Sequence, residues 1–234
     1  GLIAVAALRF VFCVLLLGRF SVFQFNFQLQ VSNFKLSLPL ILSIFVSGSA
    51  EYIDGLIVKA KFNDMFFAVY RYGAKELPVL LIVANTFSTA MVPAIAGNLH
   101  NGLEQLKHKS GKLMHVFFPL TFVLLIFSPP IFRYVFNESF TFSAVIFNIY
   151  LLLVIPRMLF PQAVLTGMQQ TKYLLISSVL EIIINVSLSI YLAGKVGLYG
   201  IAVGTFVAYT FDKVFLTCVN YLVYGVRPVA YIRV

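Results

Sequence analysis

Residues 37–97 read SLPLILSIFVSGSAEYIDGLIVKAKFNDMFFAVYRYGAKELPVLLIVANTFSTAMVPAIAG, two long apolar stretches that carry charged residues where a bilayer tolerates them least. About 20 residues cross a hydrocarbon core, so the first stretch, residues 38–58, is long enough to span. It nevertheless contains Glu51 and Asp54. Its apolar side chains each gain roughly 0.3–0.6 kcal/mol on insertion, and about 3 kcal/mol for each acid nearly cancels that gain. We therefore expect the two acids to face a partner or a water-filled cavity instead of lipid.

Polar residues recur on one face of each predicted helix in this region. In the first stretch they are spaced by four, four and three residues, at Ser43, Ser47, Glu51 and Asp54. The second stretch has Arg71 and Lys75 one turn apart near its start, followed by Asn85, Ser88 and Thr89. A later stretch repeats the pattern at strict four-residue intervals, at Ser177, Glu181, Asn185 and Ser189. Adjacent helices with such stripes would present polar side chains to a common space.

The composition is that of a polytopic helical membrane protein. Hydrophobic residues make up 61% of the 234 residues, mean hydropathy is +0.97, and only 11% of the residues are charged. The apolar runs are continuous and do not alternate, which excludes a transmembrane β-barrel. The net charge of +9 comes from scattered Lys and Arg, so we expect membrane lipids, and no nucleic acid, as partners. The three histidines lie near one basic stretch with a single acid, and we predict no metal site and no cofactor.

The apolar pattern predicts an all-α bundle of about seven membrane spans. Six of them are simple apolar runs, at residues 2–17, 38–58, 113–135, 143–165, 173–192 and 198–223. The remaining span belongs to a helix capped by Asn63 or Asp64 that runs to about Gly97, with Pro78 as a kink.

Two connecting segments are predicted to be non-helical. Residues 23–31 alternate apolar and polar side chains, which favours an extended segment at the membrane surface; a strand that pairs with another chain is the alternative. Residues 98–112 are polar and carry three lysines, which is typical of a solvated basic loop.

Five short motifs follow one another in an order that resembles a known transporter family. SLPL at 37–40 opens a span, YID at 52–54 lies toward its end, and FAVY at 67–70 leads into RYGAKELP at 71–78. MVP at 91–93 closes the next span. From residue 37 onward the sequence resembles the C-terminal half of a polysaccharide-unit flippase, of the multidrug/oligosaccharidyl-lipid/polysaccharide (MOP) exporter superfamily. The resemblance extends to the C-terminus.

This resemblance implies two six-helix lobes that form a V around a cavity open alternately to each side of the membrane. Residues 1–36 would be the last helix of the first lobe with an interfacial connector, and residues 37–234 the second lobe. The other helices of the first, N-terminal lobe are missing from this sequence. The implied protein is a multi-pass flippase of the bacterial inner membrane, not an enzyme, and its substrate is a polyprenyl-pyrophosphate-linked oligosaccharide.

Several residues are candidates for binding substrate in such a transporter. Arg71 and Lys75 suit a pyrophosphate, Arg by bidentate hydrogen bonds and Lys as a point charge. Arg157, flanked by prolines, is a second anion-binding candidate, with a snorkelling Arg as the alternative. Asn85, on the polar stripe of the second stretch, is a further substrate-binding candidate.

The buried acids and their neighbours are candidates for coupling. Glu51 and Asp54 either bind a coupling ion, Na⁺ or H⁺, or pair with basic residues of the missing lobe. Glu181 and Asn185 either line the cavity or form hydrogen bonds between helices. The neighbours Asp212 and Lys213 point about 100° apart on a helix, so we expect them not to pair with each other.

Two other functions compete with a flippase. A cation-coupled exporter of small drugs belongs to the same superfamily, but the basic pair Arg71 and Lys75 suits an anionic headgroup better than a cationic drug. A membrane-bound polysaccharide polymerase or glycosyltransferase would need a sizeable catalytic loop outside the membrane, and the sequence contains only short connections.

Overall fold

A computed structural model describes residues 2–20, 27–136 and 138–232, without the side chains of Leu2, Ile3, Phe20, Phe27, Leu29, Glu51 and Ser139. The described residues form two packing units, Gly1–Lys35 and Leu36–Val234. The first unit contains α1 (Leu2–Phe20), whose described side chains are exposed, and the start of α2 (Phe27–Lys61). The assignment of the chain to two lobes at residues 36 and 37 stays a prediction.

The second unit is built from the rest of α2 and eight further α-helices. These eight are α3 (Asp64–Gly73), α4 (Pro78–Gly97), α5 (Leu99–Val135), α6 (Thr141–Leu151), α7 (Val154–Arg157), α8 (Pro161–Gly167), α9 (Lys172–Val196) and α10 (Leu198–Leu222). Four of them, α4, α5, α9 and α10, are long, and three consecutive ones, α6 to α8, are short. Short 3₁₀ helices lie at Glu138–Phe140 and Pro228–Ala230.

Among the described residues, five helices are long and apolar enough to cross a membrane, and a sixth span results if α6, α7 and α8 count as one. The two parts of that sixth span meet at a bend of 42°. The predicted all-α polytopic bundle is confirmed. The seventh predicted span, residues 2–17, lies in α1, and its role as a span stays a prediction.

The predicted extended connector is wrong from Phe27 onward, because α2 begins there and continues to Lys61. Residues 23–26 lie outside the described part of the chain. Gln28, Leu29 and Gln30 are good helix formers, and adding them to an existing helix closes one hydrogen bond per residue. These local gains outweigh the alternation of apolar and polar side chains.

The predicted continuous helix from residue 64 to 97 is also wrong, because it is broken between Gly73 and Pro78. The Asn63 cap itself is confirmed: its Oδ1 accepts a hydrogen bond of 3.0 Å from the N–H of Phe66. Leu77, which precedes a proline, is extended with φ −64° and ψ 117°, as the proline ring requires. Pro78 therefore begins α4 at a position that needs no N–H donor, and does not kink a longer helix.

Residues 98–112, predicted as a solvated loop, are the first turns of α5. Asn98 caps the helix, since its Oδ1 accepts a 3.0 Å hydrogen bond from the N–H of Asn101. Leu103, Leu106 and Ser110 are buried, and their spacing of three and four residues is that of one helix face. Lys109 and Lys112 are exposed, and the half-buried Lys107 donates to the carbonyl oxygen of Val229 over 2.8 Å.

Helices α9 and α10 form a tight antiparallel hairpin through Gly197, whose φ of +67° suits a glycine. The close approach of the two helices depends on small residues. A Cβ on Gly200 would lie 2.4 Å from the carbonyl carbon of Leu192, a backbone atom that cannot move away cheaply. In membranes such small residues allow the backbone contact that holds helices together.

The hairpin predicts a difference between two glycine-to-alanine variants. Gly200→Ala forces α10 away from α9, and overpacking of this kind destabilises by about 1–3 kcal/mol. Gly194→Ala, on α9 of the same hairpin, places its Cβ in open space. In thermal unfolding of the detergent-purified chain, we expect Gly200→Ala to lower the melting temperature by roughly 5 °C and Gly194→Ala to leave it unchanged or raised. Equal melting temperatures would contradict this packing.

Candidate functional site

Asp54 lies at the centre of a hydrogen-bonded cluster inside the second unit. Its side chain is 0% exposed. The hydroxyl of Thr205, on α10, donates to Asp54 Oδ2 over 2.6 Å. The same oxygen lies 3.5 Å from the hydroxyl of Tyr70 on α3 and 3.4 Å from that of Tyr150 on α6. One carboxylate oxygen thus joins α2 to three other helices.

Tyr70, Tyr150 and Asn185 form the next layer around Asp54. The two tyrosine hydroxyls lie 3.0 Å apart, and both residues are buried. Asn185, on α9, donates through Nδ2 to Thr205 Oγ1 over 3.1 Å. Five helices, α2, α3, α6, α9 and α10, therefore meet at one polar cluster in an otherwise apolar interior.

Two oxygens of this cluster are buried without a donor. Asp54 Oδ1 and Asn185 Oδ1 have no hydrogen-bond partner among the described residues. None of the ion pairs found among those residues includes Asp54. An ionised carboxylate buried in this way costs several kcal/mol unless a positive charge or a proton compensates it. The arrangement therefore suits a proton or a small cation that takes oxygen ligands.

Glu181 lies one turn before Asn185 on α9 and makes a separate contact with α2. Ser47 donates to Glu181 Oε2 over 2.9 Å, and the Ser47 hydroxyl also lies 3.1 Å from that of Ser178. The polar stripes predicted on these two helices therefore face each other inside the unit. Glu181 and Asn185 both make interhelical hydrogen bonds, while a cavity-lining role for them stays a prediction.

Arg157 forms a bidentate ion pair with Glu76. Its Nε lies 2.7 Å from Oε2 and its Nη2 lies 2.6 Å from Oε1, and the two side chains are only 12% and 17% exposed. The guanidinium also lies 4.7 Å from the ring centroid of Tyr209. This pair connects the break between α3 and α4 to the break after α7. Glu76 accepts hydrogen bonds from two nitrogen atoms of Arg157. Anion binding by Arg157, the first of its two predicted roles, would require these two hydrogen bonds to break.

The expectation that Asp212 and Lys213 do not pair is wrong, since Lys213 Nζ lies 3.0 Å from Asp212 Oδ2. Both side chains are buried, and Lys213 Nζ also lies 4.7 Å from the Tyr209 ring centroid and 3.4 Å from Gln162 Oε1. The long, flexible lysine side chain bends back toward its neighbour because a buried charge without a partner is costly. The 100° between successive residues does not prevent this.

The predicted substrate-binding residues Arg71, Lys75 and Asn85 are exposed, unlike the buried Asp54 cluster. Arg71, in the last turn of α3, is exposed. Lys75 is exposed in the break after α3, so the two residues do not share a helix face as predicted. Asn85 is exposed on α4. The side chain of Glu51 lies outside the described residues.

Sequence reasoning missed Tyr70, Tyr150 and Glu76. The tyrosines stand in apolar runs like many others, and Glu76 lies in a motif that was read only for its basic residues. Their roles depend on contacts between positions 16, 81 and 96 residues apart. The available signal was chemical: a buried acid in a membrane span must find hydrogen-bond donors, and Tyr and Thr are the uncharged donors of neighbouring spans.

The fold is that of a MOP superfamily transporter. A solved MOP superfamily transporter from Pyrococcus furiosus is similar to this chain with a TM-score of 0.69 and 16% identity. The similarity covers 87% of this chain and 46% of that one, so this chain spans about half the length of the transporter. That transporter is described as having a binding pocket of reverse polarity, which suggests a different function for it.

A family model described as the lipid II flippase MurJ matches residues 1–223. The chain belongs to this family, which is one of flippases and not of enzymes. Membership in a flippase family of the MOP superfamily, predicted from the sequence, is confirmed. No match was found among curated proteins.

The Glu76–Arg157 pair predicts a strong and non-additive effect on stability. Removing one partner leaves the other charge poorly compensated, so Arg157→Gln should destabilise by about 3 kcal/mol. Glu76→Gln together with Arg157→Gln should cost less than the sum of the single variants. The matched control is the exposed pair Arg133–Glu138, with side chains 63% and 79% exposed. Arg133→Gln should change the melting temperature little, because such pairs contribute about 0–1 kcal/mol. Similar losses at both pairs would contradict this reading.

Proposed function

We propose that residues 37–234 are the second lobe of a membrane flippase that moves a lipid-linked saccharide by alternating access, coupled to a monovalent cation at Asp54. The observation that carries this proposal is a fully buried carboxylate with an unpartnered oxygen, in a member of a flippase family. In this proposal the rest of the first lobe precedes the chain and supplies the other wall of the cavity. The similarity to about half of a transporter supports that arrangement.

The proposed cation ligands are all oxygens. Asp54 Oδ1 and Asn185 Oδ1 are both buried acceptors without a donor, and Thr205 Oγ1 contacts both residues. Carboxylate, amide carbonyl and hydroxyl oxygens suit hard cations such as Na⁺. A proton on Asp54 would also remove the buried charge, and the experiment below distinguishes the two.

Cation binding at this position would act on the packing of the lobe. The cluster joins five helices, so the charge on Asp54 affects the stability of every contact among them. An ion that binds one arrangement of the helices more tightly shifts the population toward it. A cation gradient can drive alternating access only through such a difference in affinity.

The proposed substrate is an amphiphile with a lipid tail and an anionic pyrophosphate headgroup. The family description names lipid II, and the resemblance to polysaccharide-unit flippases implies a lipid-linked oligosaccharide; both belong to this class. Arg71 and Lys75 are exposed near the break between α3 and α4, and Asn85 is exposed on α4. These residues are the proposed headgroup contacts. Export of a small drug is the competing function, and it needs no anion site.

Asp54→Asn tests the cation site, since it keeps the shape of the side chain and removes the charge. In detergent-purified protein, sodium chloride should raise the melting temperature of the wild type relative to choline chloride. Sodium at about 100 times its dissociation constant adds roughly 2.7 kcal/mol, equivalent to about 5–10 °C. Asp54→Asn should lose this response, while Asp64→Asn, at an exposed aspartate of α3, should keep it. A full sodium response in Asp54→Asn would move the site elsewhere, and a response to pH alone would assign a proton.

Arg71 and Lys75 test the substrate class. Arg71→Lys keeps the charge but loses the bidentate fork, so it should impair flipping more than Lys109→Ala at an exposed lysine of α5. Each lost charge-assisted bond is worth roughly 1.5–3 kcal/mol, or about ten- to hundredfold in affinity. Arg71→Ala with Lys75→Ala should nearly abolish flipping in the full-length transporter, without additivity. The measurement is the accumulation of lipid-linked precursor on the cytoplasmic face of complemented cells. Normal flipping in the double variant would contradict headgroup binding by Arg71 and Lys75 and move that role elsewhere, with Arg157 the next candidate.

A further inference from the structure

A small cavity lies between the Asp54 cluster and the Glu76–Arg157 ion pair. Its volume is about 10 Å³, and its lining includes Glu76, Tyr150 and Thr121 together with four apolar residues. Tyr150 belongs to the Asp54 cluster, and Glu76 belongs to the ion pair. The cavity therefore adjoins both polar groups, which otherwise share no direct hydrogen bond among the described residues.

Thr121, on α5, has a hydroxyl without a partner. It is 4% exposed, and its Oγ1 makes no hydrogen bond among the described residues. Other helical threonines behave differently, since they donate to the carbonyl four residues earlier; these are Thr89, Thr166, Thr210 and Thr217. Thr121 forgoes that local bond, so it lines the cavity as a residue whose buried hydroxyl has its hydrogen-bonding capacity unused.

The cavity has the size and polarity that suit one water molecule. A buried water needs at least about 10–15 Å³ and typically two to four polar partners. The three polar lining residues supply that number. Each Glu76 oxygen already accepts from Arg157 and retains a second lone pair. The Tyr150 hydroxyl accepts through its oxygen while its proton is donated toward Asp54.

We propose that a single water in this cavity, held by Thr121, joins Glu76 to Tyr150 and so links the Asp54 site to the Glu76–Arg157 pair. In this arrangement every available proton is donated once: Thr121 donates to the water, and the water donates to Glu76 and to Tyr150. Tyr150 in turn donates to Asp54 Oδ2. This inference rests on the proposed cation site, and it assigns Thr121 and Tyr150 as positioning residues that connect that site to the ion pair.

The relay would carry ion occupancy to the two breaks in the helices. A cation on Asp54 weakens Oδ2 as an acceptor, which changes how strongly Tyr150 and the water polarise Glu76. Glu76 lies in the break between α3 and α4, and Arg157 lies at the end of α7, where the span bends. By linkage, any effect of the cation on the ion pair implies an equal effect of the ion pair on cation affinity.

The test measures the sodium concentration at half-maximal thermal stabilisation in the detergent-purified chain. Thr121→Val removes the hydroxyl at nearly constant volume and should shift this midpoint by about three- to tenfold. Thr121→Ser keeps the hydroxyl and should retain the wild-type midpoint. Tyr150→Phe should shift the midpoint in the same direction as Thr121→Val. The double variant Thr121→Val with Tyr150→Phe should shift the midpoint little further than the larger of the two single shifts. Thr217→Val, which removes a hydroxyl bonded within α10, is the matched control and should leave the midpoint unchanged.

The outcomes separate this inference from the proposed function. An unchanged midpoint in Thr121→Val, while Asp54→Asn abolishes the sodium response, overturns the relay and leaves the cation site standing. No sodium response in the wild type overturns both the sodium site and the relay from it. If Thr121→Val does not fold, a high-resolution structure of the wild type decides whether the water is present. Density for a water within hydrogen-bond distance of Thr121 Oγ1 supports the relay, and its absence where other buried waters are visible overturns it.

Discussion

Burial of the Asp54 carboxylate is the constraint on which the rest of this bundle depends. A carboxylate in a low-dielectric interior is stable only with hydrogen-bond donors or a compensating charge, and lipid supplies neither. Donors therefore come from α3, α6 and α10, with Asn185 of α9 behind them. The helices that carry these side chains must meet at one point. The same requirement that organises the bundle also leaves two acceptor oxygens available for an ion.

The breaks in two spans follow from the same physics. Irregular backbone at membrane depth is tolerated only where it is buried in protein or lines a cavity. The break from Gly73 to Pro78 and the break from Arg157 to Pro161 meet this condition through the ion pair between Glu76 and Arg157. In the proposed function, movement at either break would alter this ion pair, because Glu76 and Arg157 lie at the ends of the helices. The proposed water relay would connect such movement to the state of Asp54.

Errors in the sequence analysis arose where local pattern and tertiary context disagree. Residues 98–112 looked like a loop because most of them are polar and three are lysines, yet two leucines and a serine bury a stripe sufficient for a helix. The alternation at residues 27–31 predicted an extended segment and lost to helix propagation. Lys213 pairs with its sequence neighbour because both are buried, which no helical-wheel argument detects. The errors at residues 98–112 and at Lys213 concern packing partners that local periodicity cannot reveal.

The sequence by itself determined the membrane class and the polar stripes of α2 and α9, because apolar run length and helical period are local properties of the chain. The flippase family came from the resemblance of its motifs to a known family. Only the tertiary structure decided which donors reach Asp54, that Arg157 is held by Glu76, and that Thr121 lines a cavity between the two clusters. These contacts join residues far apart in sequence, and their distances depend on how the helices cross. Side-chain chemistry indicates that a buried acid needs partners, but helix packing selects them.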